Sequence, residues 1–290
     1  MSAGTSGRSR ARPLWVVGDV HGALPKLKTL LRGAELLGAQ DEWTGGDAHL
    51  AFLGDYLDRG PDGLGVVRLV RALEAQAPQS GGQVTALLGN HEVMFLAAAR
   101  FGPRHPSDPL GLHEYWLGNG GRPQDLGGLT PEDEAWLLAR PALARAGPWL
   151  FAHADSLFYL DLGGNVEEVN RALAERLGSP DPEVWAALAN AFVDRLNFVR
   201  AGGAEQAQRL LTACGGRRLV HGHSPVPLLL REGGPALSGD PDLPLLYAGG
   251  LCLGVDSAMA YLRHAGFIAR LGEATAEEVV MIAPQLARRG

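Results

Sequence analysis

The 290-residue chain has only two cysteines, Cys214 and Cys252, in different segments and without the spacing of a thiolate metal site. Structural thiols in a reducing cytoplasm are the expectation. No apolar stretch is long enough to span a bilayer, so no membrane partner is expected. The start, Met1 to Pro13, carries arginines, glycines and serines but no apolar core. It reads as a disordered leader (residues 1–13) and not as a secretory signal. Positive charge is not in excess either: the net charge of −6 argues against a binder of nucleic-acid backbone. No linker or shift of composition divides residues 14–290, which are expected to form a single domain. A hydrophobic content of 46% with 20% charged residues is that of a soluble globular protein with a full core.

What the chain does contain is a recurring loop. Gly54-Asp55-Tyr56-Leu57-Asp58-Arg59-Gly60 follows the apolar run Leu50 to Leu53 and is closed by Pro61-Asp62-Gly63. Gly18-Asp19-Val20-His21-Gly22 follows Leu14 to Val17, and Gly89-Asn90-His91-Glu92 follows Val84 to Leu88. Asp19, Asp55 and Asn90 stand 36 and 35 residues apart, about one strand–helix repeat. Leu24, Leu27, Leu30 and Leu31, then Leu64, Val67, Val70 and Leu73, mark the intervening helices at helical spacing. Three parallel strands would thus bring carboxylate, amide and imidazole groups to one sheet edge, where open α/β sheets place ligands.

Residues 101–130 break this rhythm with many glycines and prolines and a short helix around Leu112 to Trp116. They read either as a lid or recognition loop or as a variable surface excursion. His105 and His113, within them, are assigned to the surface. Thr130-Pro131-Glu132-Asp133 reads as a helix start. A fourth apolar run, Pro148 to Ala152, delivers His153 to a strand end, and helices are expected around Val166, Val169 and Leu173 and around Val184, Leu188 and Leu196. Leu219-Val220 then leads to His221-Gly222-His223-Ser224-Pro225. Beyond it, short apolar segments (Val226 to Leu230, Leu245 to Ala248, Leu251 to Val255, Gly266 to Leu271 and Val279 to Ala283) read as an antiparallel meander forming a second sheet. The fold class expected is α/β, a two-sheet β-sandwich flanked by helices.

Each candidate ligand alone has an ordinary explanation: an Asp after a strand caps a turn, and a His at a strand end is usually hydrogen-bonded in the core. Five separate strand ends all presenting such groups are not explained that way. A mixed carboxylate, amide and imidazole set without thiolate suits Mn, Fe or Zn.

These motifs resemble those of the calcineurin-like metallophosphoesterases, of the phosphoprotein-phosphatase type. Gly-Asp-x-His-Gly, Gly-Asp-x-x-Asp-Arg-Gly, Gly-Asn-His-Glu, a later His and Gly-His-Ser occur in order at residues 18–22, 54–60, 89–92, 153 and 222–224. Shewanella-like phosphatases and symmetrical dinucleoside tetraphosphatases share them, and the resemblance covers most of residues 14–260. It implies an α/β/β/α metallophosphatase fold and two divalent metal ions, manganese foremost. Asp19 and His21 would hold the first ion, Asp55 would bridge both, and Asn90, His153 and His223 would complete the second. His221 is left as a neighbour or a supporting group. The resemblance further implies that a hydroxide shared by the metals attacks phosphorus, with Arg59 clamping the phosphoryl oxygens, His91 protonating the leaving oxygen and Asp58 orienting His91. Arg200 is either a second phosphate-binding arginine or a surface residue. One departure is His153-Ala154-Asp155 where the family type has His-Gly-Gly; Asp155 could add negative charge near the site and alter substrate preference. Cys214 and Ser224 sit in no nucleophile motif. The implied activity is hydrolysis of a phosphomonoester, on a phosphorylated protein or a small phosphoester. A dinucleoside polyphosphate hydrolase or phosphodiesterase is the alternative, and a non-catalytic metal-stabilised binding module a more distant one.

Overall fold

Short apolar runs that end in glycine or aspartate can be buried on both faces only inside a covered, largely parallel sheet. The computed structural model describes residues 12–102, 108 and 110–282. In it β1 (Leu14–Val17), β2 (His49–Phe52) and β3 (Gln83–Ala86) run parallel and adjacent. α1 (Leu24–Gly33) and α2 (Gly63–Gln76) make the crossovers, burying Leu27, Leu30 and Leu31 from one and Leu64, Val67, Val70 and Leu73 from the other. α3 (Asn90–Phe101) is separated from β3 by three residues, so the third motif, from Gly89 on, is the N-cap and first turn of a helix.

The irregular excursion holds α4 (Leu112–Gly118) and α5 (Pro123–Gly128), and α6 (Pro131–Leu138) follows it, capped by Thr130, whose side chain accepts from Asp133 N. Then come the hairpin of β4 (Leu143–Ala146) and β5 (Trp149–Ala152), followed by α7 (Tyr159–Leu162), α8 (Val166–Leu177), α9 (Pro182–Phe192) and α10 (Gly203–Cys214). β6 (Arg218–Pro225), α11 (Val226–Gly233), β7 (Leu245–Tyr247), β8 (Cys252–Asp256), β9 (Phe267–Leu271) and β10 (Ala276–Met281) complete the chain.

The first sheet has the order β10-β9-β1-β2-β3 and the second β4-β5-β6-β8-β7. They are the two mixed sheets of a sandwich, and their contact is close where the site lies. A Cβ on Gly18, at the end of β1, would sit 2.4 Å from the carbonyl oxygen of Val255 on β8, so no larger residue fits there. Phe151 on β5 meets His49 on β2 edge-on, with ring centroids 6.2 Å apart.

The expected C-terminal meander is corrected in two respects. Val226 to Leu230 is helical, because Pro227 occupies the first turn and Val226 and Leu229, three apart, share the buried face. β9 and β10 join the first sheet, β9 pairing antiparallel to β1, so the second sheet is not one meander. A period-two pattern specifies a strand but not which of two facing sheets it joins. At the other end, Arg12 and Pro13, assigned to the leader, are tied down: Arg12 donates to Gly81 O at 2.7 Å and Pro13 O accepts from His49 N at 2.8 Å. The rest of that expected leader lies outside the described residues, as does His105. Among the described residues no helix is long and apolar enough to cross a membrane.

Candidate active site

The motif loops converge where β1, β2, β3, β5 and β6 end, and their backbone is held in an uncommon conformation. His21, Asp55, Asp58, Arg59 and His223 all have positive φ, between 45° and 68°. Each such residue costs about 1–3 kcal/mol unless its surroundings enforce it. Here hydrogen bonds do so. Asp55 O accepts from Val20 N and His21 N at 3.0 and 2.8 Å, locking the first loop onto the second. Asp19 Oδ1 accepts from His223 N at 2.8 Å, and Asp55 Oδ1 from His91 N at 3.0 Å.

The buried carboxylate of Glu92 is the keystone of the second loop. It accepts from Asp55 N, Tyr56 N, Leu57 N and Gly89 N at 2.7, 2.8, 3.2 and 3.0 Å. Burial pushes its carboxyl up to about 7 against those bonds. Its position at the third residue of α3 is the sequence signal for this capping role.

Two groups of ligand-type atoms form, each within 4.8 Å: His21, Asp55 and His91, and Asp55, His153 and His223. Asp55 belongs to both. Asp19 lies beside the first, its Oδ2 3.7 Å from His21 Nε2, and Asn90 Oδ1 lies 2.9 Å from His153 Nε2. The rings are oriented from behind by main-chain carbonyls: His21 Nδ1 is 2.9 Å from Leu57 O, and His153 Nδ1 is 2.9 Å from Leu53 O. That fixes both tautomers with Nε2 unprotonated, each lying 3.4 Å from an Asp55 oxygen. Burial and neighbouring cations push His21, His153 and His223 below their ordinary values, His153 to about 3. Burial pushes Asp19 and Asp55 well up, helped by repulsion from Asp256 on Asp19 and from Glu92 on Asp55. Neutral imidazoles and crowded carboxylates are what a divalent cation would bind and relieve, so the donor set fits such ions.

His91 Nδ1 stands 2.7 Å from Asp58 Oδ2, and the other Asp58 oxygen accepts the indole N–H of Trp116 at 2.8 Å. Trp116 is wholly buried and was not foreseen as part of the site. It comes from α4, so part of the excursion props the site from below. His113, assigned to the surface, is instead half-buried, its ring 5.6 Å from that of Trp116. Burial raises Asp58 to about 7, while burial and the guanidiniums of Arg59 and Arg195 lower His91 well below its ordinary value.

Arg59 donates to His21 Nε2 at 2.9 Å and lies over the Tyr261 ring, 4.9 Å from its centroid. Arg200 is not brought to this cluster; it lies 3.9 Å from Glu232 with its side chain 61% exposed. The second arginine at the site is Arg195, which donates to His223 O at 3.3 Å and whose charge is felt by His91, His153 and His223. Arg195 lies in the turn between α9, which ends at Phe192, and α10; the residue is solvent-exposed, and its guanidinium reaches back to His223 O. Asp155 is turned away from the ligand groups: it accepts from Ser224 Oγ at 2.7 Å, Leu196 N at 3.1 Å and Tyr247 OH at 3.1 Å. Its charge serves to brace β6 and the turn bearing Arg195. His221 lies 2.7 Å from Tyr247 OH and belongs to neither ligand group.

Residues 12–227 match the family model described as "Calcineurin-like phosphoesterase". Over 81 residues the chain is 37% identical to Shewanella-like protein phosphatase 2 of Arabidopsis thaliana, covering 28% of this chain and 21% of that protein. It is 32% identical over 184 residues to the symmetrical bis(5'-nucleosyl)-tetraphosphatase of Bordetella pertussis, covering 59% of this chain and 58% of that protein. The chain therefore spans less than two thirds of the length of these curated relatives. Its fold superposes on the cold-active protein-tyrosine phosphatase of a psychrophilic Shewanella with a TM-score of 0.64 at 20% identity, covering 91% of this chain and 76% of that one.

Proposed function

The chain belongs to the calcineurin-like phosphoesterases, and from that premise we propose that it is a dinuclear metal-dependent phosphomonoester hydrolase acting on phosphorylated protein. The observation that carries the proposal is the 2.7 Å Asp58–His91 contact at two ligand groups that share Asp55, with His91 itself in the first of them and Arg59 beside it. A module that only held metal would not need Arg59.

In this reading Asp19, His21 and Asp55 hold one ion and Asp55, Asn90, His153 and His223 the other, manganese being favoured over iron or zinc. Once bound, such ions supply Lewis acidity toward the phosphoryl oxygens and an activated water for in-line attack. The chain's own residues bind, orient and move the proton. Arg59 and Arg195 take the phosphoryl oxygens, guanidinium offering the paired donors that phosphate accepts. Asp58 accepts from His91 Nδ1 and so keeps Nε2 aimed at the leaving oxygen. Burial, and after it the Arg59 and Arg195 guanidiniums, push His91 below its ordinary value; a bound phosphoryl dianion would offset the guanidiniums and so favour the protonated acid. The buried free thiols of Cys214 and Cys252 support a cytoplasmic location.

The test is hydrolysis by the manganese-loaded protein of a phosphotyrosine peptide, a phosphoserine peptide and diadenosine tetraphosphate. The proposal expects turnover of a phosphopeptide to exceed that of the dinucleotide. Preference for diadenosine tetraphosphate would assign the chain to the tetraphosphatase activity instead, and no turnover of any would overturn the enzymatic reading.

A further inference from the structure

The segment between β8 and β9 crosses from the second sheet to the first and carries Tyr261 over Arg59. Its middle is poorly packed: Tyr261, Leu262, Arg263 and His264 are all exposed, Tyr261 by 52%. It begins and ends in uncommon backbone, Ala258 at φ 54° and Gly266 at φ 141°. Side-chain burial at Met259 and Ala265 pins its ends, but the exposed residues between them have little apolar contact to hold them.

A single side chain from near the other end of the sequence does so. Lys26, on α1, donates to Met259 O at 2.7 Å, Leu262 O at 2.6 Å and Ala265 O at 2.9 Å. An ammonium has three donors, and all three are used on carbonyls of this one segment. The tie reaches Tyr261 through the backbone, since Met259 and Leu262 flank it; within the segment Tyr261 N donates to Ala258 O at 3.0 Å, and the phenol ring lies edge-on to His21 at 6.0 Å and beneath the Arg59 guanidinium.

We propose that Lys26 is a positioning residue: by gathering three carbonyls it holds Tyr261 under Arg59 and so sets how tightly the site takes a phosphoryl group. The proposal rests on Arg59 being the phosphate clamp. Lys26 touches neither substrate nor the ligand groups and acts only through Tyr261. A guanidinium supported on one face by an aromatic ring is already oriented when phosphate arrives, whereas an unsupported one must be ordered on binding. Since the clamp serves substrate and transition state alike, losing its support raises KM and leaves kcat nearly unchanged.

The experiment compares Lys26→Met, Tyr261→Ala and the double variant in the full chain loaded with manganese. Each single variant is expected to raise KM for p-nitrophenyl phosphate about tenfold, the size of one cation–π contact, with kcat within about threefold of the parent. The double variant should be no worse than the singles, because both remove the same support. Hydrogen exchange at residues 258–265 should quicken in Lys26→Met. Lys26→Arg keeps the charge but spreads its donors, and should fall between the parent and Lys26→Met; it carries the comparison if Lys26→Met does not fold. Inorganic phosphate affinity, measured by calorimetry, makes the same comparison without turnover. An inactive parent would count against the phosphatase reading, while an unchanged phosphate Kd and unchanged exchange in Lys26→Met would overturn the clamp. Multiplying losses in the double variant would overturn it as well.

Discussion

Trp116 donates its indole N–H to Asp58 Oδ1 at 2.8 Å, so a residue from the glycine-rich excursion fixes the carboxylate that faces His91. Trp116→Phe keeps an aromatic ring against Phe95, 5.8 Å away ring to ring, and deletes that bond together with part of the buried indole. A hydrogen bond to a charged group is worth about 1.5–3 kcal/mol, so turnover of a phosphoserine peptide should fall about tenfold or more while bound metal is unchanged. Kinetics alongside elemental analysis checks both.

Asp55 is the one residue common to both ligand groups. Asp55→Asn should therefore weaken metal binding at both, whereas His223→Ala should weaken mainly one. Titration with manganese followed by calorimetry separates the cases; one intact tight site in Asp55→Asn would show that Asp55 serves a single ion.

Arg195 and Arg200 are five residues apart and should behave oppositely. Arg195→Ala is expected to raise KM for phosphopeptide about tenfold or more through loss of a charge-assisted contact. Arg200→Ala, remote and mostly exposed, should change KM by less than about twofold. Steady-state kinetics on both variants decides which arginine serves the phosphate.

The metal-free protein should lose stability as pH rises above about 6.5. Between the ordinary carboxylate and histidine values two sets of groups oppose each other. Asp19, Asp55, Asp58, Glu92 and Asp256 are raised, so the folded state binds the extra protons and stability falls with pH. His21, His91, His153 and His223 are lowered, so the unfolded state binds them and stability rises with pH. Above about 6.5 the unfolded histidines are neutral and only the first effect remains, through about 7, where Asp58 and Glu92 titrate. Thermal unfolding of chelated protein between about pH 6.5 and 8 should show a falling Tm, and manganese should reduce the fall by the share of Asp19 and Asp55, which it binds deprotonated. A Tm that rises across this window without metal would contradict the assignment.

Much of the site is legible in the sequence because its residues sit in contiguous motifs at strand ends. Asp19, His21, Asp55, Asn90, His91, His153 and His223 all come together as their spacing suggests. What the sequence hides is what reaches the site from non-periodic segments. Trp116 is one tryptophan in a glycine-rich stretch, and nothing local says its N–H is buried against Asp58. Arg195 and Arg200 are both exposed in one irregular turn, and no local pattern says that Arg195 is the one that reaches His223 O. The two sheets were legible as strands, but β9 pairs with β1 across more than two hundred residues, a choice no local pattern records.

His91 tests the central claim most directly, since its ring lies both within reach of Asp58 and within 4.8 Å of ligand atoms on His21 and Asp55. If it is the proton donor, His91→Ala keeps its full complement of manganese and loses about 10²–10⁴-fold in turnover of phosphoserine peptide. The loss should be much smaller for p-nitrophenyl phosphate, whose leaving oxygen departs without a proton. Loss of metal in His91→Ala, or an equal slowing of both substrates, would contradict the account and make His91 a ligand or a structural group.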